Sequence, residues 1–117
     1  MRANEYQTVP AEDVLAYVKS IHNEFNIPSI ILDHPIWRKT RMPLNKMHVP
    51  DPQGDDLDDP YNRVLDIDMS HIDSITRQDI ERRPIVVDNH GFIIDGNHRA
   101  LAARLSGLFD IPAYVPA

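Results

Sequence analysis

The chain has 117 residues, 42% of them hydrophobic, with no cysteine and a formal net charge of −6. That length supports one domain around one core, and the lack of cysteine excludes a disulfide framework, a thiolate zinc site and a cysteine nucleophile. The acidic balance disfavours non-specific nucleic-acid binding by the whole surface, while leaving room for a local basic patch.

The opening Met1-Arg2-Ala3-Asn4-Glu5-Tyr6-Gln7 lacks the apolar centre of a signal peptide, and no segment approaches membrane-spanning length. A cytoplasmic protein without membrane contact is expected. Thr8-Val9-Pro10-Ala11-Glu12-Asp13 has the marks of a helix start: Thr8 or Val9 at the cap, proline in the first turn, and two acids facing the positive end of the dipole. Val14, Val18, Ile21 and Phe25 recur at helical spacing and predict an amphipathic helix over 10–25, with His22 and Glu24 towards solvent. Asn26-Ile27-Pro28 stops it. Ile30-Ile31-Leu32 is expected to be extended.

Residues 38–48 carry Arg38, Lys39, Arg41, Lys46 and His48 with no acid. A solvated surface is the ordinary reading of such a run. The sharper reading is contact with phosphate or nucleic acid, with Trp37 either a stacking platform or a partly buried anchor. Leu44 to Val49 alternates and predicts a strand. Residues 51–60 then carry Asp51, Asp55, Asp56, Asp58 and Asp59 with no base. Their spacing lacks the terminal glutamate of a calcium loop, and Arg63 stands near its place. Pro52, Gly54 and Pro60 mark a loop.

Arg63 to Asp68 is a candidate strand, and Met69 to Gln78 a short helix that Ser70 could cap. Residues 84–95 form a predicted hairpin, because Asn89-His90-Gly91 joins two β-rich runs. Asn97 to Ser106 follows as a helix with Leu101, Leu105 and Leu108 marking its buried face and Gly107 its C-terminal cap. Ile111 to Val115 is expected as an edge strand, since Pro112 cannot donate to a ladder. Such an exposed edge would allow dimerisation.

The segment Asp95-Gly96-Asn97-His98-Arg99-Ala100 carries the clearest chemistry. Gly96 stands between a strand and a helix, where backbone can approach a ligand closely. Helix-start amides and the dipole favour an anion there. Arg99 offers a planar fork to phosphate, and His98 could donate to phosphate or act as acid or base. Asp95 could hold a divalent cation or accept a proton. A plain helix cap by Asp95 or Asn97 is the alternative.

From about Leu44 to Val115 the chain resembles the ParB/sulfiredoxin superfamily, with its ParB-like N-terminal and nuclease-type domains. Pro43-Leu44-Asn45-Lys46-Met47-His48 resembles that family's first strand, and Pro84-Ile85-Val86-Val87 the strand before its hairpin. Asp95 to Ala100 resembles its Gly-x-(Arg/His)-Arg-x-x-Ala signature. Leu105-Ser106-Gly107-Leu108 with Ile111-Pro112-Ala113 resembles its passage from helix to strand.

The resemblance implies an α+β fold, a small mixed sheet packed by helices, with residues 1–42 as an N-terminal helical extension and 43–117 as the ParB/sulfiredoxin-like domain of a single folded unit. It also implies a triphosphate cradle in which Gly96, Asn97, His98 and Arg99 contact ATP or CTP, with Mg²⁺ on Asp95 and Arg63 as a second phosphate ligand. Asn97 stands where sulfiredoxins keep cysteine, so sulfinic acid reduction is not expected. The partition proteins' second nucleotide motif and helix-turn-helix domain have no counterpart in these residues, so a DNA-partition clamp is not expected.

The leading expectation is a stand-alone nucleotide-binding domain performing NTP hydrolysis or phosphotransfer, in which Asp95 and His98 are catalytic. The alternatives are a ParB-like DNA nuclease and a non-catalytic adaptor or inhibitor that binds a protein through the acidic loop. Small size fits a phage or mobile-element protein.

Overall fold

A computed structural model describes residues 7–21, 27–50 and 69–117. In chain order the elements are β1 (Gln7–Pro10), α1 (Ala11–Ile21), α2 (Ile27–Leu32), β2 (Ile36–Pro43), a single 3₁₀ turn (Leu44–Lys46), α3 (Met69–Ser74), α4 (Arg77–Arg82), β3 (Ile85–Val87), β4 (Ile93–Asp95), α5 (Asn97–Leu105) and β5 (Asp110–Pro116). The strands form one five-stranded mixed sheet in the order β1-β2-β5-β3-β4. All neighbours are antiparallel except β5 and β3.

Helices cover both faces. Strand β3 divides its side chains between them: Ile85 and Val87 join Ile80, Leu101, Ala103 and Ile111 on the α3–α5 side, while Val86 joins Val14, Val18, Ile31 and Trp37 on the α1–α2 side. A strand buried on both faces carries an unbroken apolar run, as Pro84-Ile85-Val86-Val87 does. Among the described residues no helix is long and apolar enough to cross a membrane.

Several expectations give way. The predicted helix over 10–25 begins later, at Ala11, because Thr8 and Val9 pair with Arg38 and Trp37 instead of capping; residues 22–26 lie outside the described part. Ile30-Ile31-Leu32 is helical, and Pro28 falls in the first turn of α2, where a residue needs no N–H donor. The strand expected over 44–49 is a 3₁₀ turn, and the strand is β2 instead: Pro43 ends its ladder, and the Leu44 N–H donates to the Phe109 carbonyl at 2.9 Å. The extension thus contributes two strands to the sheet, and a boundary at 43 falls at the end of β2.

Residues 69–78 hold not one helix but all of α3 and the start of α4. Ser70 lies inside α3, and Thr76 caps α4 in a reciprocal box with Asp79. Strand β5, expected at an edge, is central. Its parallel pairing with β3 begins at Ala113, one residue after Pro112, so the missing N–H costs that ladder nothing. Of the expected buried face, Leu101 is buried and Leu108 packs against the core, but Leu105 is 58% exposed; Arg99, Ala100, Ala102 and Ala103 are the other buried residues of α5, and the alanines let the helix lie close to the sheet. Its end follows expectation: Gly107 takes φ +78°, and Leu108 and Gly107 donate back to Ala103 and Arg104. The expected strand over 63–68 and the acidic loop over 51–60 lie outside the described residues.

Trp37 is fully buried, and its Nε1–H donates to the Ile31 carbonyl at 3.1 Å, which removes it as a stacking platform for bases. Trp37→Ala is expected to cost about 3–5 kcal/mol in urea denaturation. The sole tryptophan of the chain should also be shielded from iodide quenching in the native state.

Candidate functional site

The hairpin of β3 and β4 delivers Asp95 to the sheet's end, and one residue later α5 begins. Gly96 makes the turn with φ +104° and ψ +24°. A Cβ there would collide with Ile85 Cγ2 and sit 2.8 Å from Ile85 Cβ and 3.0 Å from Arg99 Nη2. Both the backbone angle and the space therefore require glycine. Gly96 stands at the N-cap position itself and brings no side-chain oxygen to the helix start. The amides of Asn97 and Arg99 belong to a first turn that has no preceding helical carbonyl.

Arg99 is 7% exposed and turns back beneath the turn. Its Nη2 donates to Asp95 Oδ2 at 3.1 Å and to the Pro84 carbonyl at 3.5 Å, and its Nε donates to the Arg83 carbonyl at 3.0 Å. Asp95 is itself 5% exposed. The pair expected to grip phosphate and magnesium is thus an internal clamp across one helical turn, i to i+4. Across the sheet the Tyr17 hydroxyl on α1 donates to the same Pro84 carbonyl at 2.6 Å. Burial, opposed by Arg99 and reinforced by Asp95, pushes the Tyr17 phenol from its ordinary value of 10.0 up to about 12.

Asn97 and His98 are half-buried at the mouth of the turn. Helix α3 brings His71 against His98, with ring centroids 5.0 Å apart and planes at 73°. Two imidazoles so placed can donate to, or exchange protons with, one oxyanion between or above them. Among the described residues no group of three His, Cys, Asp or Glu is placed to hold a metal ion. Arg63 lies outside the described residues.

The structure therefore brings Asp95, Gly96, Asn97, His98 and Arg99 together, but divides them into a buried clamp and an outer rim. Sequence reasoning missed Tyr17, His71 and the carbonyls of Arg83 and Pro84. Tyr17 had a signal, since it adjoins Val14 and Val18 on the apolar stripe of its helix. His71 had none, because nothing in its spacing ties it to His98. No protein-family model, curated protein or solved structure matches the chain.

Gly96→Ala should destabilise the fold by at least about 2 kcal/mol, through strained backbone and overlap with Ile85; denaturant titration checks this. The raised Tyr17 value gives an alkaline signature. Its contribution to stability is fully present below pH 10, where the phenol is protonated in both states, and is lost as pH rises through about 12. Tyr17→Phe should remove that component from a melting-temperature profile against pH, and ultraviolet titration should lose a late-ionising phenolate in that variant, while Tyr114, whose phenol is also raised by burial, still ionises above its ordinary range.

Proposed function

We propose that the chain is a stand-alone nucleotide-binding domain of ParB/sulfiredoxin type, which holds phosphates at the Asp95–Arg99 turn and carries out NTP hydrolysis or phosphotransfer. The observation that carries the reading is the passage from β4 through left-handed Gly96 into α5. It aims a helix start outward at the end of a sheet, where phosphate is favoured by amides and dipole together.

The buried clamp refines the roles. Asn97 and His98 supply the rim contacts, the first-turn amides supply the cradle, and the Arg99 cation acts from beneath, as a positioning group fixed by Asp95 and two carbonyls. His98, with His71 beside it, holds or moves a proton at a phosphate oxygen. Asp95 serves Arg99 in this arrangement, so no step runs through a metal on it, and Mg²⁺ enters only as a partner of the phosphates.

The test is calorimetry with ATP and CTP, with and without Mg²⁺, on the wild type and on Asn97→Asp. A carboxylate at the first helical position suits the dipole and preserves the fold, but it repels phosphate. Affinity should fall at least about tenfold, the equivalent of ~1.4 kcal/mol. If neither nucleotide binds, or Asn97→Asp binds as tightly as wild type, the reading fails. The facing imidazoles favour a second reading, a DNA nuclease on the same turn. It requires strand nicking that His98→Ala and His71→Ala each abolish.

A further inference from the structure

An apolar cleft opens between the 3₁₀ turn that follows β2 and the turn that joins α5 to β5. The two turns are tied together. The Leu44 N–H donates to the Phe109 carbonyl at 2.9 Å, the Met47 N–H to the Leu44 carbonyl at 3.3 Å, and the Leu108 N–H to the Ala103 carbonyl at 3.0 Å. The cleft between them measures 440 Å³, within the range of about 300–1,000 Å³ in which small-molecule sites fall.

Its lining divides by chemistry. Leu44 and Met47, both buried, form the floor, and Val49 and Leu108 pack against the same core from the sides. Phe109 stands at the rim, 70% exposed. That ring gains stability only when something apolar covers it. Two polar side chains complete the lining among the described residues, Asn45 and Arg104, both exposed. Arg104 is the one charged group of that described lining, and among the described residues its guanidinium has no hydrogen bond or ion pair. Arg41 and Arg99, by contrast, are each held by carboxylates.

A planar fork of unused donors at the rim of an apolar cleft matches a carboxylate whose remainder is apolar. A wholly apolar ligand would leave the guanidinium and the Asn45 amide unused. A small hydrophilic anion would leave Phe109 and the floor uncovered. One molecule with an apolar tail and a single anionic head satisfies both halves of the lining. We propose that this cleft binds a small amphipathic carboxylate, with its tail against Leu44, Met47, Val49, Leu108 and Phe109 and its head on Arg104 and Asn45. The site is separate from the nucleotide turn, because Arg104 and Asn97 stand at opposite ends of α5.

The test titrates the full, isotope-labelled chain with octanoate and with 3-phenylpropanoate, and follows the backbone amide shifts by nuclear magnetic resonance. Saturable shifts should cluster at residues 44–49 and 104–109. Octylammonium keeps the tail and reverses the head, and acetate keeps the head without the tail; each should bind at least about tenfold more weakly than octanoate. Arg104→Gln and Phe109→Ser alter exposed side chains, and circular dichroism confirms their folds. Arg104→Gln should weaken octanoate about tenfold and leave octylammonium unaffected. Phe109→Ser should weaken both tailed probes, and Arg104→Glu should reverse the preference between them. Five results overturn the inference: no saturable shift with either carboxylate, shifts centred on residues 96–99 instead of the cleft, octylammonium binding as tightly as octanoate, equal octanoate affinity in Arg104→Gln, or sedimentation of the chain with phosphatidylcholine vesicles that Phe109→Ser abolishes. The last would assign the exposed ring to a lipid surface.

Discussion

A guanidinium taken almost wholly out of water has few stable surroundings, and Arg99 occupies one of them. Removing the group from solvent costs several kcal/mol unless a carboxylate and further acceptors replace the water. Asp95 supplies the charge, and the Arg83 and Pro84 carbonyls supply the remaining acceptors. The partners sit on two pieces of the fold: Asp95 at the end of β4, and Arg83 and Pro84 on the link from α4 to β3. Satisfying one side chain therefore fixes two backbone segments relative to α5, the end of β4 and the α4–β3 link. Tyr17 extends the constraint through the sheet to α1, by way of the shared Pro84 carbonyl. The outer rim of Asn97 and His98 rests on this underside, and its geometry depends on the clamp being complete.

The two cores follow from the same economy of space. Gly96 lets the β4–α5 passage press onto Ile85, and the alanines at 100, 102 and 103 keep α5 close behind it. Ile85 and Val87 then close the larger cluster, and Val86 closes the smaller one, in which Trp37 is the largest member. One three-residue strand thus seals both sides, which is why helices can pack on each face of so small a sheet.

The hairpin, the α5 helix and the Gly107 cap were legible because their signals are local: a turn between two β-rich runs, a helical period, a glycine at a helix end. Strand β2 was not, since its alternating cations looked like surface and its pairing partners lie at both ends of the chain. Pro112 pointed to an edge because sequence does not say on which side a partner strand begins. Asp95 and Arg99 were recognised by type and place, yet their burial was invisible. Their i, i+4 spacing within a sheet-to-helix turn was the available hint that they meet each other before they meet a ligand. Likewise the basic run over 38–48 was plain in sequence, but its docking against the distant turn, where the His48 N–H donates to the Gly91 carbonyl, was not.

The placement of β5 has a consequence for how the molecule comes into being. It is the latest described element in the chain and the middle strand of the sheet, the only link between the β1–β2 pair and the β3–β4 pair among the described strands. During synthesis on a ribosome both pairs emerge before it and must wait, each with an open backbone edge, until β5 slides between them. Completion of the described sheet is gated by β5, and its loss would leave two half-sheets with no ladder to join them.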